Sequence, residues 1–131
     1  MVKPLPSIFL CAAVMMSFSA SAKPKPLIVS SITVSRTGIY EPAKQEHEEI
    51  KAACQKFSVK ENNVAKWIRK SKQIDRNLFW EAATITECTA EGSLTTKDKK
   101  EYHWTLDMGG SAILKDQDHH TIYLIGGDVD Y

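Results

Sequence analysis

The spacing of apolar positions along the chain changes from helical to alternating, and the change divides the sequence into two parts. Leu27–Ser35 (LIVSSITVS) is dense in β-branched residues and predicts a strand. Arg36–Tyr40, with Gly38, reads as a turn. Glu41-Pro42 can then open a helix, because proline is tolerated in a first helical turn. Ile50, Ala53, Cys54 and Phe57 follow at i, i+3, i+4 and i+7, one apolar stripe with Glu46, Glu48 and Glu49 facing away from it. Ser58 and Glu61 have capping-box spacing, and the helix they would start places Val64, Trp67, Ile68 and Ser71 on one face. Asp75-Arg76-Asn77 marks its expected exit.

From Leu78 the period is two. Thr86, Cys88, Ala90 and Leu94 alternate with Glu87, Thr89, Glu91 and Ser93. Beyond a charged turn at Thr96–Lys100, Tyr102, Trp104, Leu106 and Met108 alternate with His103, Thr105 and Asp107, the clearest strand pattern in the chain. Gly109-Gly110 predicts a hairpin turn that needs positive φ. Ala112–Lys115 is a short strand, Asp116–His119 a polar turn, and Thr121–Ile125 a last strand. Both faces of that last run are apolar, which places it inside the sheet. The expected fold class is α+β, with two helices packed on an antiparallel sheet. That sheet would comprise a four-stranded meander plus an N-terminal strand.

The first 22 residues predict an address. Lys3 precedes an apolar run, Ile8–Phe18, and Ala20-Ser21-Ala22 has the small-x-small pattern of a signal-peptide cleavage site. The run is shorter than the roughly 20 apolar residues of a bilayer span, and no second run follows, so no stable membrane anchor is expected. Residues 1–22 therefore read as a signal peptide and 23–131 as a single exported domain, periplasmic or secreted. Cys11 would leave with the signal, and Leu10 before it is too large for a lipidation site. Cys54 and Cys88 remain, and an oxidising compartment allows one pairing. The bridge would pin the helical layer to the sheet, closing a loop of about 35 residues. On chain-entropy grounds that is worth about 3.5–4 kcal/mol.

The order Cys54, Phe57-Ser58-Val59, Trp67-Ile68, Cys88-x-Ala90-x-Gly92, Trp104, Gly109-Gly110 is similar to that of small exported bacterial proteins with two cysteines and no assigned function. The resemblance covers most of 23–131. It implies the compartment and the disulfide, and it transfers no activity.

Charge narrows the partners. Seventeen basic residues face 16 acidic ones, and loss of Lys3 with the signal balances them at 16 each. Bulk attraction to nucleic acid or anionic lipid is not expected. The distribution is uneven, however. Lys60, Lys66, Arg69, Lys70, Lys72 and Arg76 cluster against only Glu61 and Asp75, while Asp116, Asp118, Asp128 and Asp130 lie toward the other end of the sequence.

Asp116-Gln117-Asp118-His119-His120 holds two carboxylates and two imidazoles, the donor types of a divalent metal site. Consecutive strand residues face opposite ways, so His119 and His120 do not aim at one ion, and a polar hairpin turn is the expected role. Asp128 and Asp130 lack the six or more oxygens that calcium collects. His47 and His103 have no motif partner, and Glu81, Glu87, Glu91 and Asp107 read as solvated acids; no catalytic residue, metal or cofactor is expected. The remaining surface suits a protein. Lys66, Arg69 and Lys70 on the basic helix are the expected partner-binding residues, with Tyr102 and His103 of the sheet adding contact area. The expected partner is one protein, an enzyme or a toxin, and the expected role is that of an inhibitor or an immunity protein. An envelope structural or stress-related role and a small hydrolase are the alternatives.

Overall fold

The computed structural model describes Pro4 and residues 25–131. The expected signal peptide and its cleavage site, together with Cys11, lie outside the described residues. From Val29 the chain runs through β1 (Val29–Tyr40), α1 (Glu48–Gln55), α2 (Glu61–Lys70), β2 (Lys72–Ile74) and α3 (Arg76–Ala82). It then continues through β3 (Cys88–Thr96), β4 (Glu101–Asp107), β5 (Ser111–Lys115) and β6 (Thr121–Ile125). The strands form one six-stranded sheet in the order β1-β3-β4-β5-β6-β2, with every neighbouring pair antiparallel. The class is α+β. The expected count of two helices and five strands is corrected to three helices and six strands among the described residues.

Several boundaries move for local reasons. The turn expected at Arg36–Tyr40 is strand: the β1–β3 register slips between Val34 and Arg36 and again between Arg36 and Ile39. Gly38 takes φ +61° in the second slip, so its positive φ serves an irregularity within the ladder instead of ending it. A Cβ there would lie 2.9 Å from the Cys54 carbonyl oxygen, so β1 meets α1 backbone to backbone. The helix expected from Glu41 begins only at Glu48. Glu41 N–H donates to the Glu87 carbonyl, Ala43 N–H to Glu87 Oε2 and His47 N–H to the Tyr40 hydroxyl, which commits residues 41–47 to a loop. Ser58 caps nothing. The N-cap of α2 is Lys60, whose N–H donates to Asn63 Oδ1 at 3.1 Å.

The expected exit at Asp75 is instead an entrance. The chain leaves α2 at Ser71, adds β2 to the edge of β6, and starts α3 with Asp75 Oδ1 accepting the Leu78 N–H at 2.9 Å. Phe79 anchors this seven-residue helix, buried against Tyr123 with ring centroids 5.0 Å apart. Because β2 pairs with β6, the last strand lies inside the sheet.

One face of the sheet carries the core. Ala90, Leu94, Trp104, Leu106, Ala112, Leu114 and Leu124 pack there against Cys54, Phe57, Val64, Trp67 and Ile68 of the α1–α2 layer. Trp104 fits because its cross-strand neighbour is Gly92. A Cβ at Gly92 would lie 2.7 Å from Trp104 Cζ2 and 1.9 Å from the Thr33 carbonyl oxygen. The disulfide Cys54–Cys88, with both residues buried, joins α1 to the first residue of β3 and so ties the helical layer to the sheet.

Candidate functional site

α2 is amphipathic because Val64, Trp67 and Ile68, three and four residues apart, turn into the core, each 5% exposed or less. Lys66, Arg69 and Lys70 are thereby directed outward. Glu61 in the first turn and Arg69 and Lys70 in the last complement the helix dipole. The three cations do not share one environment. Lys66 and Lys70, one turn apart, border a cavity of about 240 Å³ with Asn63, Trp67, Gly127, Asp128 and Asp130. Arg69 borders a different cavity, about 280 Å³, formed with Leu27–Val29 and Ile68.

Of the acidic residues toward the end of the sequence, Asp128 and Asp130 return to this helix. Beyond β6, the Gly127 carbonyl accepts the Trp67 Nε1–H at 2.9 Å, Val129 is buried, Asp130 Oδ2 lies 3.5 Å from Lys66 Nζ, and Tyr131 meets Phe57 edge-on at 5.0 Å. These contacts differ in strength. Burying Val129 is worth about 1.5–3 kcal/mol, and the indole hydrogen bond about 0.5–1.5 kcal/mol. The ion pair, with both side chains at least half exposed (51% and 68%), contributes little. Sequence reasoning noted the opposed charge runs but not their contact. The clue was the acidic Asp128-x-Asp130 pair, complementary to the basic run of α2.

The expected contact surface is divided. Tyr102 is a core residue, 8% exposed, on the same sheet face as Trp104, and it supplies no outward contact area. That corrects its expected role: the alternation that buries Trp104 buries Tyr102 as well. His103 points to the opposite face, where its Nε2 lies 3.9 Å from Glu91 Oε2, and Glu91 Oε1 lies 3.4 Å from Arg36 Nη1. His103 and the cations of α2 thus belong to different sides of the molecule.

Asp107 is also corrected. It is 6% exposed and accepts from Thr86 N–H, Thr86 Oγ1–H, Glu87 N–H and Gly109 N–H at 2.7–3.2 Å. Its carboxylate is committed to holding the β3 entrance against the β4–β5 turn.

At the β5–β6 turn, donor atoms of Asp116, Asp118 and His120 lie within 4.8 Å of one another, and these are the residues that could hold a metal. His119, at φ +62°, is not among them. Asp116 is already engaged: Oδ1 accepts the N–H groups of Asp118 and His120 at 2.9 Å each, and Oδ2 lies 3.2 Å from His120 Nδ1. Lys99 and Lys100 border the same cavity and oppose a cation there. Burial, the largest influence on the Asp116 carboxyl, raises its pKa, but the hydrogen bonds and charge of His120 and the Asp118 N–H together hold it below the ordinary value. The arrangement acts as the lock of a hairpin turn.

No helix among the described residues is long and apolar enough to cross a membrane. No protein-family model, curated protein or solved structure matches this chain.

Proposed function

We propose that this chain is an exported binding domain that acts stoichiometrically on one other protein, an inhibitor of a wall-degrading enzyme or an immunity protein against a toxin. The outer face of α2 is its docking surface, and an acidic surface is the counterpart. The observation that supports this reading is the resident contact between Lys66 and Asp130, 3.5 Å apart, in which the face already lies against a carboxylate of the chain itself. The scaffold behind it supports the same use. The disulfide ties the α1–α2 layer to the sheet, and Val64, Trp67 and Ile68 hold the inner face of α2 in the core. Such a face adds steering and register to an interface whose affinity comes from the contacts around it.

The test starts from oxidised protein expressed from the full chain, captured against envelope and secreted fractions, with the retained partner purified and titrated by calorimetry. Lys66→Glu, Arg69→Glu and Lys70→Glu in one protein should lower affinity at least about tenfold while circular dichroism stays unchanged. Equal affinity in the reversed protein would remove the α2 face from the proposal. Failure to retain any stoichiometric partner would remove the binding function itself.

A further inference from the structure

Two consecutive glycines follow β6, and only one of them has a steric reason to be glycine. A Cβ on Gly126 would lie 2.9 Å from the Trp67 ring, so the chain can cross the indole there only without a side chain. At Gly127 nothing lies within 4 Å of a Cβ position, and its φ is not in the left-handed region. What Gly127 adds is backbone freedom, at the point where the chain leaves the indole and turns along α2.

We propose that Gly127–Tyr131 is a hinged strap over the cationic face of α2, and that an acidic segment of the partner takes the place of Asp128 and Asp130 beside Lys66 and Lys70. The proposal rests on the reading of α2 as the docking face, and it adds how that face is regulated and what it recognises. The strap is a built-in competitor. It brings two carboxylates, two residues apart, to two lysines one helical turn apart. Its hold is a single buried aliphatic side chain, one indole hydrogen bond, an edge-on aromatic contact and a solvent-exposed ion pair. None of these is part of the sheet ladder, and Val129 is the strap's one residue in the core cluster, so opening the strap withdraws that side chain and leaves the sheet and the helical layer paired. The partner segment is therefore acidic, with at least two carboxylates in close succession.

The tryptophans of the chain provide the measurement. Trp67 Nε1–H is bonded to the strap, Trp104 Nε1–H donates to the Ser93 carbonyl inside the core, and Trp80 is 55% exposed. Indole hydrogen exchange on protein expressed from the full chain should show Trp67 exchanging at least about tenfold faster than Trp104, at a rate insensitive to low denaturant. Gly127→Ala, which no neighbour opposes, should slow Trp67 about two- to fivefold and leave Trp104 unchanged. Hexaglutamate is the binding probe, and Asp128→Asn with Asp130→Asn should tighten its binding about fivefold.

Trp67 exchanging in step with Trp104 overturns the strap, even if hexaglutamate binds. Fast Trp67 exchange with no hexaglutamate binding to either form overturns the docking face on which the proposal rests. Equal hexaglutamate affinity in the two forms overturns the competition between strap and partner.

Discussion

The side chain of Asp107 receives both the backbone N–H and the hydroxyl of Thr86, the hydroxyl at 2.8 Å, across 21 residues of sequence. With Glu87 and Gly109 donating to the same carboxylate, one acid closes both the entrance to β3 and the exit of β4. Glu87 itself sits at φ +66°, a conformation that costs a non-glycine residue energy and that this hydrogen bond helps to hold. Asp107→Ala leaves four donors without their acceptor and should cost about 2–4 kcal/mol. Asp107→Asn keeps one carbonyl oxygen and should cost about half as much. Urea unfolding of the two variants checks the order, and equal losses would reject the argument from donors left unpaired.

The Cys54–Cys88 bridge closes a sequence separation of 34 residues that runs from the end of α1 through α2, β2 and α3. Cys54→Ser with Cys88→Ser should lower stability by about 3–4 kcal/mol, a large share of the roughly 5–15 kcal/mol typical of a domain. Guanidinium unfolding of oxidised protein and of the double variant measures the difference. A loss below about 1 kcal/mol would mean that the helical layer holds to the sheet without the link.

Gly92 is the tightest glycine among the described residues, and the reason is a contact across two strands. Gly92→Ala directs a methyl group into the Thr33 carbonyl and the Trp104 ring, so β1 must separate from β3 and the indole must move as well. The expected cost is about 2–3 kcal/mol, near the upper range for overpacking. Gly127→Ala should change stability by less than about 1 kcal/mol. Thermal unfolding of the pair distinguishes a steric requirement from a mere preference for glycine.

Two turn carboxyls titrate below the ordinary Asp value of 3.8. At Asp98 the main cause is the hydrogen bond from the Thr96 hydroxyl. At Asp116 burial acts upward but is outweighed by His120 and Asp118. A carboxyl with a depressed folded pKa contributes its full stability above the unfolded pKa and loses it as pH falls through the folded value. Acidification from about pH 5 to about pH 2 should therefore reduce amide protection at Asp118 and His120, while the centre of β4 stays protected. Asp116→Asn should remove that pH step. Constant protection at the turn across this range would show that the ionised carboxylate does not hold it.

Alternation and helical periodicity made much of the core legible in the sequence. Parity along Cys88–Leu106 assigned Ala90, Leu94, Trp104 and Leu106 to one face, and all four are buried. The same rule applied to Tyr102 contradicts its use as a contact residue. The stripe of Val64, Trp67 and Ile68 needed only a 3.6-residue repeat, and the pairing of Cys54 with Cys88 only their number and the expectation of export. These are local properties, because backbone geometry alone determines which neighbours share a face.

What covers a face, and which distant segment reaches it, is decided only by tertiary structure. Asp107 has outward parity, yet the segment before β3 folds over it and makes it a buried hub. Lys72–Ile74 is too short for any pattern and becomes a strand because β6 offers an edge to pair with. α3 is seven residues long and depends on Phe79 finding Tyr123. The sequence displays a basic run and an acidic pair, but Trp67 and Gly127 stand 60 residues apart. Only the closed fold brings them together, because hydrogen bonding and burial act between spatial neighbours, whatever the distance along the chain.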